Sequence, residues 1–200
     1  MVVPQADHAR FSAALALAWG NERFPRPPVP FDRFVQGVAL HDRGYGEHDD
    51  DPIFGTERAR WLEIQRESFR PRGDDAIVDL IVALHVRRLV GDDPLGAEMA
   101  AELPALHAAA GVSAEDGRVA DAVTRFCDSI AFDFALEEPE RGEAAGVAYT
   151  LDGLGTITLD PWPLAVPRLL GIVTAFEADG YPERLQPVAI PFEVVRTPGS

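Results

Sequence analysis

Apolar residues recur at helical spacing through most of the chain and at strand spacing in its last part. Residues 7–19 (DHARFSAALALAW) open on Asp7, a residue suited to cap a helix, run through good helix formers and stop at Gly20, which predicts a first helix. The Pro-rich FPRPPVP that follows reads as a connector. Phe31, Phe34, Val35, Val38 and Leu40 keep helical spacing over 31–42, up to the turn-prone DRGYGEHDDDP. This second helix therefore carries His41 and Asp42 at its carboxy-terminal end. Further helices are predicted at 56–69, 74–90, 94–109 and 114–136. The stretch 74–90 (DDAIVDLIVALHVRRLV) is apolar nearly all round, as expected of a helix in the middle of a bundle, yet it contains His85.

After Pro139 the period shortens. GVAYTLDG and LGTITLD alternate, with the GLG of 153–155 reading as a hairpin turn; DPWP interrupts, and RLLGIVTAFEADG and QPVAIPFEVVR follow. These segments predict a small antiparallel sheet. The fold expected is mainly α, a helical bundle over 1–138 with a β-rich carboxy-terminal subdomain over 139–200 packed on it, α+β overall. The cluster Glu47-His48-Asp49-Asp50-Asp51 reads as a solvated loop.

Composition narrows the function. A chain of 200 residues that is 46% hydrophobic is long enough to bury one core. A net charge of -15 and a pI near 4.6 argue against nucleic acid or an anionic membrane as the main partner, and a small-molecule substrate fits better. All 18 positive side chains are Arg, so Schiff-base and P-loop lysine chemistry is excluded. The single Cys127 permits no intramolecular disulfide and no Cys-based zinc cluster; between Phe126 and Ile130 it reads as a small buried hydrophobe, not a nucleophile. The start MVVPQADHAR lacks the features of a secretory signal, and no apolar run approaches the roughly 20 residues of a spanning helix. The expectation is a cytoplasmic chain, with a homodimer open.

The remaining chemistry lies with histidine and aspartate. Adjacent His and Asp at a helix end can reach one cation, because the helix stops there; inside a helix they would diverge by about 100°. An ionised Asp128 beside Phe126, Cys127 and Ile130 needs a compensating charge. A metal supplies one; the alternatives are Arg125, or an exposed stripe shared with Asp121 and Thr124. His85 is either a core imidazole with a hydrogen-bond partner or a ligand. His48 and His107 fall outside the cluster, one in the acidic loop and one near a helix end, where a cationic ring meets the dipole favourably. Neutral imidazole together with carboxylate suits iron, manganese or zinc.

Gln5 with His8, the AWG of Ala18–Gly20, the ALHD of Ala39–Asp42, the ALH of Ala83–His85 and the DPWP of Asp160–Pro163 resemble an uncharacterised bacterial family, domain of unknown function 3891. More distantly, the order His8, His41-Asp42, Asp128 resembles that of HD-domain metal-dependent phosphohydrolases, which implies an HD-like bundle. The Pro-rich loop between His8 and His41 and the long β-rich tail depart from that pattern. The expected ligands are His8, His41, Asp42, His85 and Asp128, holding one or two divalent ions. Asp42 is expected to orient the nucleophile or bridge two metals. His85 is a candidate second-metal ligand or proton donor, and either Arg87 or Arg88 is expected to neutralise phosphate. The expected function is hydrolysis of a small phosphorylated substrate. The alternatives are a di-iron oxygenase and a non-enzymatic structural or ligand-sensing protein.

Overall fold

In the computed structural model, which describes residues 1–49, 56–136 and 140–197, six α-helices precede a five-stranded sheet. The helices are α1 (Gln5–Ala18), α2 (Phe31–Ala39), α3 (Arg58–Phe69), α4 (Ala76–Val90), α5 (Pro94–Ala110) and α6 (Ala114–Ala135), and the strands are β1 (Glu140–Ala144), β2 (Val147–Leu151), β3 (Thr156–Asp160), β4 (Leu169–Phe176) and β5 (Pro187–Arg196). The chain is thus α+β. The expected boundary at 138/139 lies outside the described residues. None of the described helices is long and apolar enough to cross a membrane.

Helix α1 begins two residues earlier than its apolar pattern suggests. Pro4, with φ of -60°, already holds the geometry a helix start requires, so Asp7 falls inside the first turn and pairs with Arg10 at 3.0 Å instead of capping. The cap comes from elsewhere: the Asp49 carboxylate, buried, accepts the Gln5 backbone N–H at 2.6 Å. The acidic stretch is therefore not simply solvated. Glu47 pairs with Arg10 and His48 packs against Phe176, whereas Asp50 and Asp51 lie outside the described residues.

One apolar cluster joins helices and sheet. Phe11 of α1 lies 5.1 Å from Phe134 of α6 and 4.4 Å from Phe192 of β5, ring centre to ring centre. The cluster continues through Leu15, Phe126 and Ile130 on the helices to Leu159 and Val194 on the strands. A smaller cluster, with Phe69, Val86 and Met99, sits between α3, α4 and α5.

The sheet is mixed, not antiparallel as expected. Its order is β1-β2-β3-β5-β4, and β3 pairs with β5 in parallel. After β3, Pro161, Pro163 and Pro167 withhold N–H groups from any ladder. The chain leaves the sheet to bond the end of α1, with Gly20 N donating to Pro163 O and Ala165 N to Ala18 O. It returns at the far edge as β4, and β5 fills the gap. Pro187 and Pro191 are tolerated in β5 because β3 pairs only with Glu193–Arg196, leaving the earlier half an edge on that side.

Two packing features hold the turn that follows α2. Gly37 lets α2 approach α4 so closely that a Cβ there would lie 2.6 Å from the Ile81 Cβ. Beyond the turn, the buried Arg43 guanidinium donates to Ser68 O, Arg70 O and Asp79 Oδ1 at 2.7–2.9 Å. Asp79 also accepts the Arg72 and Gly73 N–H groups, and against the penalty of burial these bonds and Arg43 hold its carboxyl below the usual range.

An interior Gly→Ala change normally favours a helix, but at Gly37 overpacking wins: Gly37→Ala should cost about 1–3 kcal/mol, read as a lower urea midpoint with unchanged slope. Because the Asp79 pKa is depressed on folding, its contribution is complete above the ordinary carboxylate range and lost as pH falls through the depressed value. The stability gap between wild type and Asp79→Asn should therefore be largest near neutrality and narrow in acid, as measured by urea unfolding across pH. A gap that is constant with pH would contradict this.

Candidate metal centre

Four separate parts of the helical layer supply the site. His8 comes from α1, His41 and Asp42 from the turn after α2, His85 from α4 and Asp128 from α6. The α2 helix ends at Ala39, three residues sooner than the 31–42 expected, with Leu40 N bonding Gly37 O. The His41 ring then folds back, and its Nδ1–H donates to Val38 O at 2.6 Å. That bond adds a side-chain donor to Val38 O, which also accepts the His41 backbone N–H at 3.4 Å, and points Nε2 inward. His41-Asp42 is delivered by a turn, which frees the two side chains to converge.

They converge closely. His8 Nε2 lies 3.2 Å from His41 Nε2, 3.1 Å from Asp128 Oδ1 and 3.8 Å from Asp42 Oδ2. His41 Nε2 lies 3.3 Å from Asp42 Oδ2 and 3.5 Å from Asp128 Oδ1. Each carboxylate turns its other oxygen to His85: Asp42 Oδ1 is 3.5 Å from His85 Nε2, and Asp128 Oδ2 is 3.7 Å from His85 Nδ1. The structure brings together all five expected ligands, and two subsets, His8-His41-Asp42 and His41-His85-Asp128, have the spacing of metal-ligating groups.

All three imidazoles are buried, Asp42 nearly so, and the Asp128 side chain is 15% exposed. Burial alone would favour neutral groups. At His41 burial is outweighed by the Asp42 and Asp128 carboxylates, which push the imidazole up to about 10. Despite their own burial, Asp42 and Asp128 are held well below the usual carboxylate range, by His41 and His85. His85 moves down, through burial and the neighbouring His41. Two carboxylates facing one imidazolium leave the cluster one positive charge short. A divalent ion displacing the His41 Nε2 proton would remove that deficit.

Arg88 faces the site and Arg87 does not. The Arg88 guanidinium donates to His85 Nδ1 at 3.0 Å and to Asp121 Oδ1 at 3.2 Å, and its Nη1 is 3.6 Å from Asp128 Oδ2, whereas Arg87 bonds Gly91 O. Arg125, the other partner considered for Asp128, is exposed, and Thr124 is buried with its hydroxyl on Ala120 O. His107 stays outside, its Nδ1–H donating to Val112 O past the end of α5. Cys127 is buried with its thiol pushed up by burial and by Asp128, so it offers no thiolate.

A cleft of about 370 Å³ opens onto His8, Asp42, Arg88 and Asp128. A hollow of about 470 Å³ among Arg10, Arg43 and Arg72 touches only Asp42 of the five clustered residues. The smaller cleft is the one that gives access to the cluster. Its walls carry Gln5, which the sequence offered as part of a motif with His8, and Tyr45, Trp61, Phe132, Asp133 and Tyr149, none of which was named as a site residue from sequence. Gln5 and Phe132 had a signal, standing at i-3 and i+4 from His8 and Asp128 on the same helices. Tyr149 had none: it reaches from β2 across Gly142, where a side chain would collide with its ring, and donates to Asp133 Oδ2 at 2.6 Å. Burial and the charges of Glu140 and Asp128 raise the Asp133 carboxyl, against the bond from Tyr149.

No curated protein and no solved structure matches the chain. Residues 1–65, the stretch that carries Gln5, His8, His41 and Asp42, match the family described as Protein of unknown function (DUF3891), the family whose motifs the sequence resembles.

Proposed function

We propose that this protein is a metal-dependent hydrolase of small phosphorylated molecules, in which His8, His41, Asp42 and Asp128 hold a divalent cation. The observation that carries this reading is the convergence of two imidazole nitrogens and two carboxylate oxygens at 3.1–3.8 Å in a buried site. Ions bound at about 2.0–2.2 Å set neighbouring donors roughly 3.0–3.6 Å apart, so the donor set fits with little rearrangement. The His41 tautomer fits as well, because its Nδ1–H is spent on Val38 O and Nε2 is left for a ligand bond. The order His, His-Asp, Asp along α1, the turn after α2 and α6 supports an HD-like arrangement.

A bound divalent ion supplies Lewis acidity and lowers the pKa of water toward neutrality. The protein's own side chains account for the rest. Arg88, at the cleft, offers a fixed positive charge to an anionic group. Tyr45, Trp61 and Phe132 give apolar walls that limit water and receive the organic part of the substrate. Asp133, its carboxyl raised by burial and held in orientation by the bond from Tyr149, is placed to hold a proton for a leaving group. His85 would act behind Asp42 and Asp128, orienting both.

A second reading, a di-iron centre for oxygenase chemistry, draws on the way each carboxylate turns one oxygen to His8 and His41 and the other to His85.

Elemental analysis of protein purified without chelator tests the proposal. Stoichiometric metal is expected in the wild type, with affinity reduced roughly 100-fold or more in His41→Ala and Asp128→Ala. Turnover of a phosphoester panel with manganese, iron or zinc should vanish in the same variants. Folded wild-type protein that binds no metal, or metal binding untouched by either change, would leave only a structural His-Asp network.

A further inference from the structure

Arg88 stands in an unusual place for an arginine. Its guanidinium touches three groups that are each competent metal ligands: His85 Nδ1 at 3.0 Å, Asp121 Oδ1 at 3.2 Å and Asp128 Oδ2 at 3.6 Å. Helical spacing produces this arrangement. Arg88 lies one turn beyond His85 on α4, and Asp121 lies two turns before Asp128 on the facing side of α6.

The bond to His85 also settles that ring's chemistry. A guanidinium only donates, so His85 Nδ1 must accept, and the proton of the neutral ring sits on Nε2, toward Asp42 Oδ1. With Arg88 in place, neither His85 nitrogen has a lone pair free for a metal. Asp128 meanwhile divides its oxygens, Oδ1 to His8 and Oδ2 to Arg88, as a carboxylate bridging two cations does.

We infer that Arg88 is a built-in cation occupying what would otherwise be a second metal position, so that the centre binds one metal per chain. The inference rests on the reading of His8, His41, Asp42 and Asp128 as a divalent-metal site. It favours one-metal hydrolytic chemistry over a di-iron centre, since a guanidinium is always charged, has no accessible redox state and donates in fixed directions. Removing it leaves His85 Nδ1 and Asp128 Oδ2, 3.7 Å apart, with the Asp121 carboxylate on the far side of the space the guanidinium filled and no cation between them. That set would recruit a second ion.

The test is Mn²⁺ binding by calorimetry and elemental analysis, with electron paramagnetic resonance of the bound ion. Wild type and Arg88→Lys, which keeps the charge, should bind one Mn²⁺ per chain and give the spectrum of an isolated ion. Arg88→Met should bind two and give an exchange-coupled spectrum, and Asp121→Asn added to it should remove the second ion. Arg88→Gln serves if Arg88→Met does not fold. Wild type binding two ions, or a folded Arg88→Met or Arg88→Gln binding one, overturns the inference while leaving the metal site standing. Wild type binding none overturns the metal reading and this inference with it.

Discussion

Two carboxylates removed from water set the terms for the rest of this molecule. Asp42 and Asp128 approach the same three imidazoles from different helical segments, and each needs positive charge to remain ionised in that position. His41 supplies part of it as an imidazolium and Arg88 supplies more from the cleft side. Because Arg88 also pairs with Asp121, three carboxylates face two cations, and a divalent ion in place of the His41 proton would supply the missing charge.

Much of the surrounding architecture holds these groups in register. Gly37 brings α2 against α4, so the turn that carries His41 and Asp42 arrives beside His85. Arg43 ties the continuation of that turn to the end of α3 and to Asp79. Asp49, from the same loop, caps α1 three residues before His8. One loop therefore supplies two site residues, a helix cap and an ion pair. The carboxy-terminal sheet takes part too, since Tyr149 crosses Gly142 to orient Asp133 at the cleft wall.

Several sequence expectations survive and others fail for identifiable physical reasons. All six helices appear near their expected positions, because their apolar periodicity reflects burial of one face or, in α4, of nearly the whole surface. The all-antiparallel sheet does not appear. Strand alternation reports which face is buried but not which strand is the neighbour, and the prolines of 161–167 send the chain to α1 before it returns. Asp7 looked like a cap because local pattern cannot show Asp49, forty-four residues beyond Gln5, reaching the same N-terminus.

From sequence alone, residue type and spacing determined that His8, His41-Asp42, His85 and Asp128 are polar groups in apolar surroundings, since charge and imidazole among helical core positions demand partners. The sequence could not determine who those partners are. Convergence of four distant segments, the choice of Arg88 over Arg87 and Arg125, and the aromatic and acidic walls of the cleft depend on helix rotation and crossing, which only packing decides. The tertiary structure brings the expected ligands to within 3–4 Å of one another and adds Arg88 as a cation among them.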